Sequence, residues 1–309
     1  MQVHTDIDGL PKFRNAVITI GTFDGVHRGH REIIERMRAE ANIIGGESVL
    51  VTFHPHPRKV VSSAILGIRL INTLQERLEL LGELGIDHVV VTPFTDAFAN
   101  QTAEDYVRNF LVQKFRPHTI IVGYDHRFGR ERRGDYHLLE QMAPSYGYRL
   151  REIPKHIVDE ISISSTKIRA ALLEGRLDAA NRLLGYEFFF SGIVVDGDKL
   201  GRKLGYPTAN LRISDEEKII PGNGIYAVYA RVGSEAEKRK GMMSIGFRPT
   251  VDGKKRVIEV NMFDFDRQIY GEQVTVYVRQ YLREELKFDS IEALVEQIGR
   301  DKTDSLAVL

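Results

Sequence analysis

Val17-Ile-Thr-Ile-Gly-Thr-Phe-Asp-Gly-Val-His-Arg-Gly-His30 is the stretch on which the fold of the first half turns. Val17–Ile20 is a short apolar run of the kind that fills a buried strand. A glycine-containing turn follows, and then a helical pattern over Arg31–Ala41. Outward from this strand–turn–helix the same alternation repeats. Ser48–Phe53 reads as a second buried strand. Thr73-Leu-Gln-Glu76 is a capping box, in which the hydroxyl and the carboxylate each satisfy a free amide at a helix start. Leu74, Leu78, Leu81 and Leu84 then recur at helical spacing, and Gly85 is a stop. His88–Val91 is a third strand. Thr102-Ala-Glu-Asp105 opens a helix carrying Tyr106, Phe110 and Leu111, and Thr119–Val122 and Arg149–Ile153 are a fourth and a fifth strand. Such alternation predicts a parallel sheet covered on both faces.

Near Gly185 the pattern changes. From Glu187 to Leu282 about six β-rich segments follow one another, among them 188–195, 224–232, 242–245, 257–263 and 273–281, with Gly, Asp and Pro in the gaps. Regularly spaced strands without helices predict an antiparallel barrel. A helix capped by Ser290, with Leu294, Val295 and Ile298 on one face, closes the chain. The expected division is therefore 1–185 and 186–309, which fits two domains in 309 residues.

The chain is 42% hydrophobic and 28% charged, so each half can bury a core of its own. Basic and acidic residues balance at 43 each, which gives no support to a nucleic-acid or membrane-surface partner. The absence of cysteine removes disulfides, thiolate catalysis and Cys-ligated metal centres. Met1–Leu10 has neither a basic nor an apolar leader region, and the most apolar run, 188–195, is too short to span a bilayer. A cytoplasmic protein is expected, and whether it forms a homo-oligomer is left open.

The turn Gly21–His30 falls where a parallel sheet binds phosphates, because free amides and the helix dipole favour anions there. His27 and His30, three apart, share a face, and Gly29 between them lets a phosphate approach the backbone. A plain surface turn is the bland alternative, and zinc is another, since His54 and His56 offer further ligands. Ile163-Ser-Ser-Thr-Lys-Ile-Arg169 lies after the fifth strand and is expected to open a helix, with Ser165 or Thr166 as its cap and Arg169 placed for a bidentate phosphate contact.

Together the two strings resemble those of the nucleotidylyltransferase superfamily. That resemblance implies a Rossmann-like domain with ATP held by Gly21, Phe23, Asp24, Gly29, Ser164, Ser165, Thr166 and Arg169, and with His27 and His30 at the phosphates. Val122-Gly-Tyr-Asp-His-Arg-Phe-Gly129 and Thr52-Phe-His-Pro-His-Pro57 are similar to the FMN adenylyltransferase module of the bacterial bifunctional riboflavin kinase/FAD synthetases, which adds Asp125 to the site. The alternative for Asp125 and Arg127 is a loop ion pair.

Gly197-Asp-Lys-Leu-Gly-Arg-Lys-Leu-Gly-Tyr-Pro-Thr-Ala-Asn210 lacks the Gly-Lys-Ser/Thr of a phosphate-binding P-loop and precedes no helical pattern. Thr208 and Asn210, two apart, share one side of an extended segment and offer hard oxygen ligands for Mg²⁺. A charged hairpin loop is the bland alternative. The stretch resembles the riboflavin kinase signature, which implies that Gly197, Gly201 and Gly205 cover the ATP phosphates. Ile258 and Val260 face a barrel wall and leave Glu259 on the other side. In that family the carboxylate of this strand is the general base, and the 282–288 segment lies on the flavin side with Arg283 as contact. Gly224–Val228 and Ser244–Thr250 match strands and turns, to which no chemistry is assigned.

The resemblance implies two ATP-dependent reactions, riboflavin to FMN in the barrel and FMN to FAD in the first domain, with Mg²⁺ required. Two rivals are a nucleotidylyltransferase for another phosphate, such as phosphopantetheine or glycerol phosphate, and a non-enzymatic flavin or nucleotide sensor.

Overall fold

The computed structural model describes residues 1–61, 69–197, 200–250 and 253–309. They form two compact units, Met1–Thr166 and Lys167–Leu309.

The first unit is built on a six-stranded parallel sheet of β1 (Gln2–His4), β2 (Val17–Ile20), β3 (Ser48–His54), β4 (His88–Pro93), β5 (Thr119–Gly123) and β6 (Arg149–Ile153), in the order β1-β4-β3-β2-β5-β6. β2 is buried throughout and β3 along all but its last residue, as the near-continuous apolar runs of a sheet covered on both faces demand. From β2 the chain winds outward through β3 to β4 on one side. It then returns to lay β5 and β6 on the other. The sheet therefore reverses direction between β2 and β5, and ligands of open α/β sheets bind outside the carboxyl ends of the strands at such a point.

Two features depart from the sequence reading. β1 adds a parallel edge strand beside β4, three residues too short for periodicity to reveal. His4 Nε2 there lies 3.1 Å from His88 Nδ1. The second concerns the 163–169 string, which does not open a helix. One helix runs from Lys155 to Leu173, and the Pro154 carbonyl accepts from Ile157 and Val158 at its start. Proline fixes φ without needing a donor there, so it starts the helix well before the serines that looked like caps.

The second unit is a closed six-stranded antiparallel barrel. Its strands are β7 (Phe189–Val195), β8 (Ala209–Arg212), β9 (Gly224–Val232), β10 (Arg239–Thr250), β11 (Gly253–Met262) and β12 (Gln273–Arg283), ordered β10-β11-β8-β7-β12-β9. Phe190, Tyr226, Val228, Met243, Ile245, Val260, Val276 and Val278 are among its fully or almost fully buried residues. The helix Ile291–Val308 begins at Ser290, whose Oγ accepts from the Ala293 amide at 3.1 Å. A one-turn helix, Leu200–Lys203, lies within the glycine-rich string. Asp198 and Lys199 of that string lie outside the described residues.

Two candidate active sites

The helix Arg28–Ile43 starts one turn earlier than its pattern suggests, because His27 itself is the N-cap. His27 Nδ1 accepts from the His30 amide at 3.4 Å, and the two rings stack with centroids 3.8 Å apart and planes 16° from parallel. With Nδ1 an acceptor, the neutral ring carries its proton on Nε2. Nε2 lies 3.0 Å from Ser165 Oγ and so donates to it, joining the two strings that the sequence separates by 138 residues. So arranged, His27 does not deprotonate Ser165.

Both histidines are buried, His27 at 0% and His30 at 7% exposure. They belong to the wall of the unit and do not sit at an open mouth. Burial, then the neighbouring His27 and Arg77, push the His30 pKa well below its ordinary value, so its ring is neutral. His30 Nδ1 has no hydrogen-bond partner among the described residues.

Strain marks the turn that presents them. Phe23 (φ 49°), Gly25 (φ 91°) and Val26 (φ 37°) all adopt positive φ, and a β-branched residue there is a genuine outlier. Asp24 holds the turn down: it is buried, and its Oδ1 accepts from the amides of Ile71 at 2.9 Å and Asn72 at 3.1 Å. Arg77, on the helix Leu74–Glu83, donates to the carbonyls of Thr22 and Phe53, clasping the carboxyl ends of β2 and β3. The sequence reading missed Arg77. Its signal was a cation four residues before Leu81 on the buried stripe. Gly21 donates its amide to Val51 O at 3.0 Å. At Gly29 a Cβ would lie 2.6 Å from Ile161 Cγ1, so this glycine also lets the Lys155–Leu173 helix approach.

The structure thus gathers Phe23, His27, Gly29, His30 and Ser165. Ser164 is buried on the same helix, Thr166 is exposed, and Arg169 lies one turn beyond Ser165. Asp125 is exposed after β5. Arg127 does not pair with it as the bland alternative required. It binds Asp135 at 2.6 Å, because the Asp135 carboxylate is already fixed as the cap of the following helix. His126 beside it is pushed down to about 4 by burial and then by Arg132.

In the barrel, β8 and β11 bring Asn210 and Glu259 into direct register. Ile258 and Val260 are buried on either side of Glu259, as the alternation predicted. Asn210 lies against Gly197, where a Cβ would come within 2.2 Å of Asn210 Nδ2. Gly201 is equally required: a Cβ there would meet Tyr206 O at 2.3 Å, with Thr208 Oγ1 at 3.4 Å. Gly205, at φ 84°, makes the turn between them. Thr208 lines a cavity of about 400 Å³ together with Val194, Phe265, Ile269 and Tyr270. A hydroxyl and an amide oxygen beside a glycine cradle fit a hard cation that carries phosphates.

Arg283 is already committed. Its Nε and Nη2 donate to the two carboxylate oxygens of buried Asp301 at 2.7 and 2.6 Å, and Nη1 donates to Glu284 O at 2.7 Å. Two further residues escaped the sequence reading. Arg248 bridges Glu259 and Glu285 at 3.2 Å each. Neither stood out, because an ion-pair partner has no fixed spacing along a barrel.

A strained, paired-histidine turn at the switch point of a parallel sheet, followed by a six-stranded barrel with a glycine-cradled Thr–Asn pair, defines a two-module nucleotide-dependent transferase. Models of the FAD synthetase and riboflavin kinase families match residues 10–167 and 184–309. The chain belongs to the family of bifunctional riboflavin kinase/FMN adenylyltransferases. It is 37% identical to the member from Listeria monocytogenes, over 95% of this chain and 92% of that one. It is likewise 37% identical to the Escherichia coli K12 member, over 93% and 90%. A solved structure described as a macrolide-efflux protein from Streptococcus pneumoniae is 29% identical and superposes with a TM-score of 0.85 over 98% of each chain. Among the described residues no helix is long and apolar enough to cross a membrane.

Proposed function

We propose that residues 1–185 transfer the adenylyl group of ATP to FMN and residues 186–309 phosphorylate riboflavin, each at the site described above. The protein is a bifunctional enzyme of FAD biosynthesis, with riboflavin, FMN and ATP as its small-molecule substrates. The contact of His27 Nε2 with Ser165 Oγ at 3.0 Å carries the reading, because it joins the two phosphate-type strings into one site.

In the barrel, the 5′-hydroxyl oxygen of riboflavin attacks the γ-phosphorus, the bond to the ADP oxygen breaks, and the hydroxyl proton passes to Glu259. Thr208 and Asn210 would hold Mg²⁺, which supplies neutralisation of the phosphate charge. Gly197, Gly201 and Gly205 let backbone approach the phosphates, and Arg283 fixes the flavin-side segment. In the first unit, a phosphate oxygen of FMN attacks the α-phosphorus of ATP and pyrophosphate leaves, with no proton to remove. Neutral His30 donates N–H to the charge growing on the phosphates. Ser165, oriented by His27, does the same with its hydroxyl. Gly21, Phe23, Asp24 and Gly29 shape the turn, while Asp125, Ser164 and Thr166 complete the substrate contacts. Neither reaction needs a covalent intermediate. The balanced charge supports a protein without nucleic-acid or membrane-surface partners.

Incubation of the protein with riboflavin, ATP and Mg²⁺, followed by chromatography of the flavins, tests the assignment. FMN and then FAD are expected. Folded protein that yields no FMN overturns it.

A further inference from the structure

Arg248 sits towards the end of β10 and binds two carboxylates at once. Nη2 is 3.2 Å from Glu259 Oε2 and Nη1 is 3.2 Å from Glu285 Oε1. Glu285 lies in the segment after β12, whose start is clamped by the pair of Arg283 with Asp301. The Glu285 carboxylate is itself seated: a Cβ on Gly246 would fall 1.9 Å from its Oε1 and 2.3 Å from its Oε2. The slot it occupies on β10 therefore exists only because residue 246 is glycine. Next to it, Phe247 is 49% exposed. Contacts thus run from Asp301 of the terminal helix to Arg283, and, two residues further along the chain, from Glu285 through Arg248 to Glu259.

All three members of the bridge are partly open to solvent, with side chains 43%, 27% and 30% exposed for Arg248, Glu259 and Glu285. Ion pairs of that kind add little to stability. What the bridge does is fix geometry. A lone Glu on a strand has three freely rotating side-chain torsions, whereas Glu259 is held at one oxygen by a planar, doubly anchored guanidinium. Its other oxygen, Oε1, has no partner among the described residues and remains open to accept a proton.

We propose that Arg248 is the positioning residue of the kinase site, fastening the base Glu259 to the flavin-side segment through Glu285. The proposal rests on the assignment of Glu259 as base. It makes ordering of the 282–288 segment and aiming of the carboxylate a single event.

Steady-state FMN formation is to be measured for the wild type, Arg248→Met, Arg248→Lys, Glu285→Gln, Gly246→Ala and the Arg248→Met/Glu285→Gln double variant. Circular dichroism and the thermal unfolding of the second unit report folding of the barrel in the same preparations, and FAD formation from added FMN reports the first unit. Arg248→Met is expected to lower kinase kcat roughly 10- to 100-fold, the scale of a misplaced catalytic group, with the KM for ATP within about twofold. Arg248→Lys recovers part of the loss. Glu285→Gln and Gly246→Ala each lower kcat with Arg248 in place, and the double variant is no slower than Arg248→Met alone, as one linked unit requires. Unchanged kcat in Arg248→Met overturns the proposal, as does a raised ATP KM at unchanged kcat, which would make Arg248 a substrate contact. Strictly additive losses in the double variant also overturn it. If Arg248→Met loses both activities, Glu285→Gln and Gly246→Ala decide by the same criterion. Wild-type protein that makes no FMN removes the kinase reading itself, a result distinct from an active wild type indifferent to Arg248.

Discussion

Asn210 and Glu259 face each other across β8 and β11 as direct register partners. Side chains of directly opposed residues stand on one face of a sheet within about 5.5 Å at Cβ, so an amide oxygen and a carboxylate border the same small volume. Glu259→Gln keeps that volume and removes the proposed base. FMN formation is expected to fall about 10²- to 10⁴-fold. FAD formation from added FMN should stay within about twofold, because Asn210 and Glu259 lie in one compact unit and His27 and His30 in the other. Asn210→Ala should show the same selectivity, and His27→Ala the reverse. Assays of both half-reactions on the three variants check this.

Gly197→Ala places a methyl group where Asn210 Nδ2 now lies, at 2.2 Å. One of the two must move, and the amide is the softer. The expected result is loss of kinase activity with a raised ATP requirement and an unaltered adenylyltransferase. Titration of the kinase rate with ATP measures it.

His30→Ala should slow adenylyl transfer about 10²- to 10³-fold, the usual loss for one donor to developing phosphate charge. Its burial adds a second consequence, a loss of stability on the order of 1–3 kcal/mol, since the imidazole stacks on His27 within the wall of the unit. Urea denaturation and the FMN-to-FAD rate separate the two effects.

The fold was legible wherever local pattern and burial agree. Val17–Ile20 and Ser48–Phe53 announce a sheet covered on both faces, and Ser290 and Thr73 cap the helices they were read to cap. The change of period near Gly185 announces the barrel. Edge and junction were not legible. Gln2–His4 becomes a strand only because β4 offers it a ladder. The serines at 164 and 165 lie inside a helix because Pro154 starts it early and tertiary contact outweighs their preference for caps. At the sites, residues joined by chain-local motifs were found. Those joined only through space, Arg77, Arg248 and Glu285, were not, since nothing in their spacing marks a partner 11 to 55 residues away.

Asp301→Ala removes the partner of a guanidinium that is one-fifth exposed. Leaving such a cation uncompensated should destabilise the second unit by on the order of 3 kcal/mol. If Arg283 acts on the flavin through this clamp, Arg283→Ala, Asp301→Ala and the double variant should raise the riboflavin KM by similar factors. If Arg283 touches the flavin directly, Asp301→Ala should be much the milder. Flavin titration of the kinase rate for the three variants distinguishes the two.

His126 sets the acid side of stability. Burial, and then Arg132, lower its pKa from 6.5 to about 4 in the folded protein, so the folded state prefers the neutral ring. The unfolded chain binds the proton from about pH 6.5 downward. Between the two values the unfolded state carries more protons, so stability falls as pH falls through that window and is complete above it. At pH 5 the loss from this one residue is about 2 kcal/mol. His30, whose pKa is also lowered, contributes with the same sign. His126→Phe removes this titration while keeping an aromatic ring beside Phe128, whose centroid is 5.7 Å away. It also removes a buried Nε2 that has no hydrogen-bond partner among the described residues. The variant should therefore match or exceed the wild type at pH 7, and its advantage should widen towards pH 5. Denaturation midpoints of the first unit's transition at both pH values give the measurement. An advantage that does not grow on acidification means that His126 is accessible to protons in the folded state.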